Sequence, residues 1–108
     1  MQTLPLKVKT LLGFAQKSGS LLSGESAVES AVKRNAAGIV ILAADMPEKR
    51  RKHWAMRCKA RNINLYILGT KNELGQALGV SERGIIAVTD RQMSAALQKQ
   101  LGNPDRNA

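Results

Sequence analysis

The residues that could do chemistry in this chain are a pair of glycines, a histidine with a cysteine, and eight carboxylates. Gly19 and Gly24 have the spacing of a phosphate-binding loop, in which a lysine follows the second glycine and holds the phosphates. Glu25 stands in that place here and would repel a phosphate. The sequence therefore does not predict a nucleotide-binding loop of this kind.

His53 and Cys58 could form a thiolate–imidazole pair or part of a metal site, but their spacing argues against both. Five residues along a helix rotate a side chain by about 500°, or 140° net, so the two side chains diverge. The chain has 1 Cys and 1 His, which are too few for most zinc sites. We expect Cys58 to be a small buried apolar residue, and His53 to be solvated or to contact a phosphate.

No two carboxylates have the arrangement of a general acid and base. Most of the acids stand at predicted helix starts or in loops, where capping and the helix dipole account for several of them. These patterns together predict a protein that is not an enzyme, with no catalytic residue, no metal ligand and no cofactor.

The positive charge of the chain is large and unevenly distributed. Its 108 residues hold 17 Lys and Arg against 8 Asp and Glu, for a net charge of +9. Residues 47–61 contain seven of these cations and one acid, and they form a predicted helix. If Trp54 and Cys58 face the core, the lysines of this helix face outward, and we expect its charges to be unpaired. A small basic domain of this kind is predicted to bind nucleic acid through phosphates.

Several other classes of protein are excluded by composition. The longest apolar run, residues 38–44, is much shorter than the roughly 20 residues that span a bilayer, and no secretory signal follows Met1. A single cysteine favours a reducing, cytoplasmic setting. The aromatic residues are too few for a platform on which bases stack. We expect a cytoplasmic protein without a membrane partner.

Apolar periodicity and chain-breaking residues predict five helices that alternate with short strands. The predicted helices are 5–17, 23–35, 47–61, 71–78 and 89–101, and the predicted strands are 21–22, 38–43, 64–68 and 85–88. This alternation predicts an α/β fold, a three-layer α/β/α sandwich with an about four-stranded mixed sheet and helices on both faces. We expect one domain over residues 1–101 and a frayed tail over residues 102–108.

Two helix starts carry capping signals. Ser26 and Glu29 have the spacing of a capping box, with Ser23 as an alternative cap, and Thr89 and Gln92 have the same spacing before the last helix. The start of the second helix also offers unpaired backbone N–H groups, which attract anions. Simple capping is the alternative explanation of that segment.

Four segments resemble, in order, the bacterial YlxQ-type members of the kink-turn RNA-binding ribosomal protein family, that of ribosomal protein L7Ae. They are LGFAQKSGSLLSGE at 12–25, AGIVILAAD at 37–45, ELGQALG at 73–79 and GIIAVTD at 84–90. The resemblance covers about residues 8–101. It implies an α/β/α sandwich that binds sharply bent internal loops of RNA.

The resemblance also implies which residues contact RNA. Residues 24–30 would enter the widened groove at tandem sheared G·A pairs, and residues 79–84 would cover an extruded nucleotide, with residues 45–47 beside them. Together with the start of the second helix and the basic residues, the resemblance leads to these candidate RNA-binding residues: Ser23, Gly24, Glu25, Ser26, Ser30, Lys33, Arg34, Asp45, Met46, Arg50, Val80, Ser81, Glu82 and Arg83.

This chain departs from the family pattern Gly-x-Asn-Glu-x-x-Lys, because its Asn, Glu and Lys positions are Ser26, Ala27 and Ser30. A bidentate base contact contributes about 1–3 kcal/mol of discrimination in DNA, so kink-turn specificity depends on what replaces these residues. Lys33, one turn after Ser30, could restore the missing charge. The leading hypothesis is a ribosomal-type binder of kink-turn or related structured RNA, associated with the ribosome or another ribonucleoprotein. The alternative is a protein-interaction module on the same fold, and the oligomeric state stays open.

Overall fold

Helices and strands alternate along the chain in the computed structural model, which describes residues 3–105. The strands are β1 (Leu21–Ser23), β2 (Ile39–Leu42), β3 (Asn64–Ile67) and β4 (Ile85–Val88). The helices are α1 (Leu6–Lys17), α2 (Glu25–Lys33), α3 (Glu48–Ala60), α4 (Lys71–Leu78) and α5 (Arg91–Leu101). Every predicted element is present, with its ends about where the sequence placed them. No helix in the described part of the chain is long and apolar enough to cross a membrane.

The strands form one mixed sheet in the order β1-β4-β2-β3. β2 is parallel to β3 and antiparallel to β4, which is in turn antiparallel to β1. Every residue of β2 and β4 is buried, so helices must cover both faces of the sheet. One layer is α1 packed against α4 and α5, and the other is α2 over β1 and β4 with α3 over β3. The predicted α/β/α sandwich is confirmed.

The strand directions bring four connecting segments to one end of the sheet. The ends of β1, β2 and β3 and the start of β4 all lie there, so the loops that follow or precede them meet. Backbone hydrogen bonds join these loops, from Ala43 N to the carbonyl of Gly84 at 2.8 Å and from Ala44 N to the carbonyl of Gly69 at 2.8 Å. We call this region, residues 24, 43–47, 68–70 and 79–84, the loop end.

The core confirms the predicted orientation of α3. Trp54 and Cys58 are both buried and face the sheet. Burial raises the pKa of the Cys58 thiol to about 11, so almost no nucleophilic thiolate is present at neutral pH. The ring of His53 packs edge-on against Trp54, with the ring centroids 5.5 Å apart.

The capping box predicted at the start of α2 is wrong. The helix begins at Glu25, its N-cap is Gly24, and no side chain among the described residues caps it. Ser26 therefore lies inside the first turn, while Ser23 is the last residue of β1. Spacing alone suggested Ser26 and Glu29, but the backbone turn at Gly24 sets where the helix starts.

The capping box predicted at the last helix is also wrong. Asp90 is the N-cap of α5, and its Oδ2 accepts the backbone N–H of Met93 at 2.8 Å. A carboxylate one residue closer to the helix displaces Thr89 from that role. The capping box that does form joins Thr70 and Glu73 at the start of α4.

Residues 102–105, which we expected to fray, instead lie along β3. The backbone N–H of Asp105 donates to the carbonyl of Leu65 at 2.7 Å. β3 is an edge strand with outward backbone groups that need partners, and this segment supplies them. Residues 106–108 of the expected tail lie outside the described residues.

Gly75 in α4 lets the loop between α4 and β4 fold back onto the helix. The backbone N–H of Val80 donates to the carbonyl of Gly75 at 2.9 Å. A Cβ on Gly75 would lie 2.4 Å from the carbonyl oxygen of Ser81, which is too close for any real contact. The position of this loop at the loop end therefore depends on the missing side chain.

We predict that Gly75→Ala lowers the free energy of unfolding by about 1–3 kcal/mol, because the added methyl must displace the loop backbone. Gly13→Ala is a matched control in α1, where the Cβ would meet only the carbonyl of Ala77 at 3.6 Å. That variant should gain up to about 1 kcal/mol from helix propensity. Urea unfolding of both proteins measures the difference, and equal stabilities would contradict the prediction.

Candidate nucleic-acid interface

Gly24 sets the entry of the chain into α2. Its backbone angles are φ 92° and ψ 152°, a combination that is close to exclusive to glycine. Its N–H donates to the carbonyl of Ile85 at 3.0 Å, which fixes the turn to β4. Apart from Gly24 itself and its two chain neighbours, no residue places an atom within 4 Å of where a Cβ would stand. The glycine is therefore required by conformation, and its outer side is open to an approaching molecule.

The first turn of α2 offers backbone donors beside this glycine. The first hydrogen bond within the helix runs from Val28 N to the carbonyl of Gly24 at 3.0 Å. The N–H groups of Glu25, Ser26 and Ala27 precede it and have no acceptor within the helix. Since no side chain of the described residues caps α2, these donors and the positive end of the helix dipole are available to a ligand.

Glu25 joins the start of α2 to α3. Its Oε1 accepts hydrogen bonds from Trp54 Nε1 at 2.7 Å and from Arg50 Nε at 3.0 Å. The indole N–H belongs to a side chain that is only 1% exposed, so it needs such a partner. The hydrogen bond from Trp54, with the hydrogen bond and charge of Arg50, holds the pKa of Glu25 below its usual value. The carboxylate stays ionised, and Arg50 balances its charge.

The remaining arginines at α3 also contact α2 or the loop before α3. The contacts are Arg57 with the Glu29 carboxylate, Arg61 Nη1 with the carbonyl of Val32 at 3.3 Å, and Arg51 Nε with the carbonyl of Met46 at 3.0 Å. The expectation that the charges of this helix are unpaired is therefore wrong for Arg50 and Arg57, which pair with carboxylates. Their planar guanidinium groups match carboxylate and carbonyl acceptors on the neighbouring helix.

The lysines of α3 face outward, as predicted. Lys49, Lys52 and Lys59 are all exposed. Lys52 pairs with Glu48 at 3.1 Å on the surface, an arrangement that contributes little stability. Neither Lys49 nor Lys59 forms a salt bridge within residues 3–105. These exposed lysines can contact an external polyanion.

Arg83 shapes the loop between α4 and β4. Its Nε donates to Ser23 Oγ at 3.0 Å, across to the end of β1. Its Nη1 donates to the carbonyl oxygens of Ser81 at 3.1 Å and Glu82 at 3.0 Å. The Arg83 side chain therefore binds the backbone of its own loop and holds that loop beside the start of α2. Val80, at the start of the same loop, leaves 37% of its surface exposed.

Asp45 and Met46 hold loops together at the loop end, Asp45 from the surface and Met46 from the interior. Asp45 Oδ1 accepts the backbone N–H of Lys71 at 2.9 Å, at the first residue of α4. Met46 is nearly buried, and a Cβ on Gly84 would lie 2.4 Å from its sulfur. Both residues are thus placed where the resemblance put them, with contacts that hold two loops together.

The structure brings most of the sequence-predicted site residues to the loop end, but three lie along α2. Those at or beside the loop end are Ser23, Gly24, Glu25, Ser26, Asp45, Met46, Arg50, Val80, Ser81, Glu82 and Arg83. Lys33 is the last residue of α2, about 12 Å of helix rise from Glu25. Ser30 and Arg34 contact each other near that same end, at 3.3 Å.

Sequence reasoning assigned Trp54 to the core alone and missed its hydrogen bond to Glu25. The signal was present in the spacing of two facing helices. Glu25 and Glu29 are four residues apart on α2, while Arg50, Trp54 and Arg57 recur at four and three residues on α3. Such spacings place each set on one helical face, so matching the two faces would have predicted the pairs.

Three sequence comparisons match most of the chain to known proteins. The sequence model of the ribosomal protein L7Ae/L30e/S12e/Gadd45 family matches residues 6–98. The NHP2-like protein 1 homolog of Dictyostelium discoideum is 30% identical over 101 residues, which cover 93% of this chain and 78% of that protein. The RNA-binding protein YlxQ of Bacillus subtilis (strain 168) is 27% identical over 81 residues, which cover 75% of this chain and 81% of that protein.

Two solved structures are similar to this one. A protein of unknown function from Bacillus halodurans superposes with a TM-score of 0.86 at 32% identity, over 90% of this chain and 98% of that one. The 15.5kD RNA binding protein of Giardia lamblia superposes with a TM-score of 0.77 at 20% identity, over 92% of this chain and 91% of that one. The second likeness shows the shared fold.

We predict that Glu25→Gln lowers the free energy of unfolding at pH 7 by up to about 1 kcal/mol, since the pair with Arg50 is half-exposed. The folded-state pKa of Glu25 is lowered from 4.5, so its contribution is present above pH 4.5 and is lost as the pH falls below it. The variant and the parent protein should therefore differ less in stability at pH 3 than at pH 7. Urea unfolding at both pH values tests this.

Glu48→Gln is the control for this measurement, because Glu48 pairs with Lys52 on the open surface. It should change the unfolding free energy less than Glu25→Gln does. A loss for Glu25→Gln that is the same at pH 7 and pH 3 would show that the ion pair is not its cause.

Proposed function

The chain belongs to the ribosomal protein L7Ae/L30e/S12e/Gadd45 family, and on this premise we propose that it is a non-enzymatic protein that binds structured RNA at the loop end. We further propose that the RNA is a kink-turn or a related bent element, in ribosomal RNA or another ribonucleoprotein. The name of the B. subtilis relative, an RNA-binding protein, supports the first step. The observation that carries the proposal is the uncapped start of α2 behind Gly24.

This start is suited to a widened RNA groove. It presents backbone donors rather than a bulky side chain, and its neighbours Ser26, Ala27 and Ser30 are small. Backbone N–H groups can donate to the acceptors on a base edge or to a phosphate oxygen. The loop held by Arg83 stands beside it, where Val80 offers an apolar surface to an unstacked base.

The outward lysines of α3 would supply the general attraction. Each phosphate that a lysine neutralises releases counterions, so binding becomes weaker as salt rises. Glu25 and Glu29 do not oppose this attraction at full strength, because Arg50 and Arg57 compensate them. Affinity and recognition would thus come from different parts of one surface, α3 and the loop end.

We propose no catalytic role for Cys58 or His53. The thiol is buried with its pKa raised to about 11, and the imidazole packs edge-on against Trp54. A cytoplasmic location for the protein is likewise part of the proposal.

We predict that the protein binds a kink-turn RNA at least about tenfold more tightly than the same duplex without its G·A pairs, at the scale of one good base contact. A filter-binding or fluorescence titration at several salt concentrations measures both. Equal, salt-dependent affinities would contradict kink-turn recognition and leave general RNA binding. No binding of either RNA would contradict the proposal and favour the protein-interaction module.

We also predict that the triple variant Lys49→Gln, Lys52→Gln, Lys59→Gln reduces the salt dependence of RNA binding. The slope of log K against log salt is negative, and its magnitude should decrease by up to about 2–3, since each phosphate contact contributes about 0.7–0.9 to that magnitude. The control removes the same charge from the opposite helical layer, through Lys7→Gln, Lys9→Gln and Lys99→Gln. Equal slopes for the two variants would show that net charge, and not the α3 surface, drives binding.

A further inference from the structure

β3 is an edge strand whose outward backbone groups are covered by the chain itself. The covering segment is Gly102–Asp105, which we call the C-terminal strap. The N–H of Asp105 donates to the carbonyl of Leu65 at 2.7 Å, and Asp105 Oδ2 accepts the N–H of Ile67 at 2.6 Å. Asp105 therefore occupies β3 as an added strand would, with its carboxylate in place of one backbone carbonyl.

The strap also borders a groove. The Tyr66 hydroxyl donates to the carbonyl of Gly102 at 2.9 Å, which anchors the start of the strap. Between the strap and the end of α3 lies a groove of about 310 Å³. Its lining includes Cys58, Lys59, Asn62, Ile63, Leu65 and Pro104. The groove runs beside the strand edge and is separate from the loop end.

We propose that the edge of β3 and this groove form a docking site for an extended acidic segment of a partner protein, with the strap as its internal substitute. The strap shows the chemistry that the site accepts, namely an extended backbone with a carboxylate that reaches the Ile67 N–H. Within residues 3–105 its hydrogen bonds to β3 are those of Gly102 and Asp105, and Asp105 is exposed. A partner segment with the same pattern and more contacts in the groove can replace it.

Charge decides the kind of partner. Asp105 is the acid among the lining residues, and Lys59 is the cation. When the strap leaves, its carboxylate leaves with it, so the site becomes positive and an acidic segment restores the balance. A second copy of this chain would bring a net charge of +9 against an equal charge, which opposes self-pairing through β3.

The test uses the full chain with Asp105→Pro, which removes both the N–H donor and the carboxylate of the strap. The probe is a capped peptide, Gly-Asn-Pro-Asp-Glu-Glu, and its control is Gly-Asn-Pro-Asn-Gln-Gln. We expect the variant to bind the acidic probe at least about tenfold more tightly than the parent chain, since a tenfold change needs only 1.4 kcal/mol of lost competition. NMR amide shifts should centre on Leu65 and Ile67.

Hydrogen exchange keeps the test decisive if peptide binding is weak. The Ile67 amide should be protected in the parent chain and should exchange at least about tenfold faster in Asp105→Pro, while amides in β2 keep their protection and report that the variant is folded. Unchanged exchange at Ile67 would overturn the strap. Equal affinity of both chains for the acidic probe, equal affinity for the two peptides, or a variant that dimerises instead would overturn the acidic partner.

Discussion

The hydrogen bond from the buried Trp54 indole to the Glu25 carboxylate is the interaction on which the rest of the functional surface depends. It satisfies a polar N–H in the core and at the same time fixes the first residue of α2 against α3. Because Glu25 directly follows Gly24, the same contact holds the turn that opens the helix. Loss of the carboxylate would thus affect the core, the junction of the two helices and the geometry of the loop end together.

The contacts between α2 and α3 also explain how one strongly basic helix serves two purposes. Arginine and lysine differ in how they bind acceptors, and α3 separates them by face. Its arginines meet the carboxylates and carbonyls of α2 and the loop before α3, whereas its lysines remain in solvent. The count of 17 Lys and Arg therefore overstates the cations that an external polyanion can use, since Arg50 and Arg57 are paired with carboxylates within the helical layer.

The sequence predicted the elements well because each depends on local patterns. The apolar run of β2 and the stripe of Trp54 and Cys58 on α3 are read directly from spacing. Capping was predicted poorly at α2 and α5. A capping box is recognised by residue spacing, but backbone geometry decides whether it forms, as Gly24 does at α2. At α5, Asp90 takes the capping position instead of Thr89. The hydrogen bond between Glu25 and Trp54 joins residues 29 positions apart, and the strap bonds of Asp105 join residues at least 38 positions apart. No local pattern contains either of them. The predicted site residues converge because of the strand order, which neither composition nor local spacing contains.

The backbone at the start of α2 also bears on how RNA would be recognised. Gly24 keeps a backbone conformation that only glycine adopts readily, so the entry to α2 is preserved although Ser26, Ala27 and Ser30 replace the larger side chains of the family pattern. What remains at this entry is backbone donors and small side chains, which respond to the shape of a groove more than to the identity of a base. On the proposed function, selectivity would then come from the bend of the RNA, because only a widened groove admits the first turn of α2 while the lysines of α3 still reach phosphates. The β3 edge lies at the far side of the sheet from β1, so a partner bound there would leave that entry open.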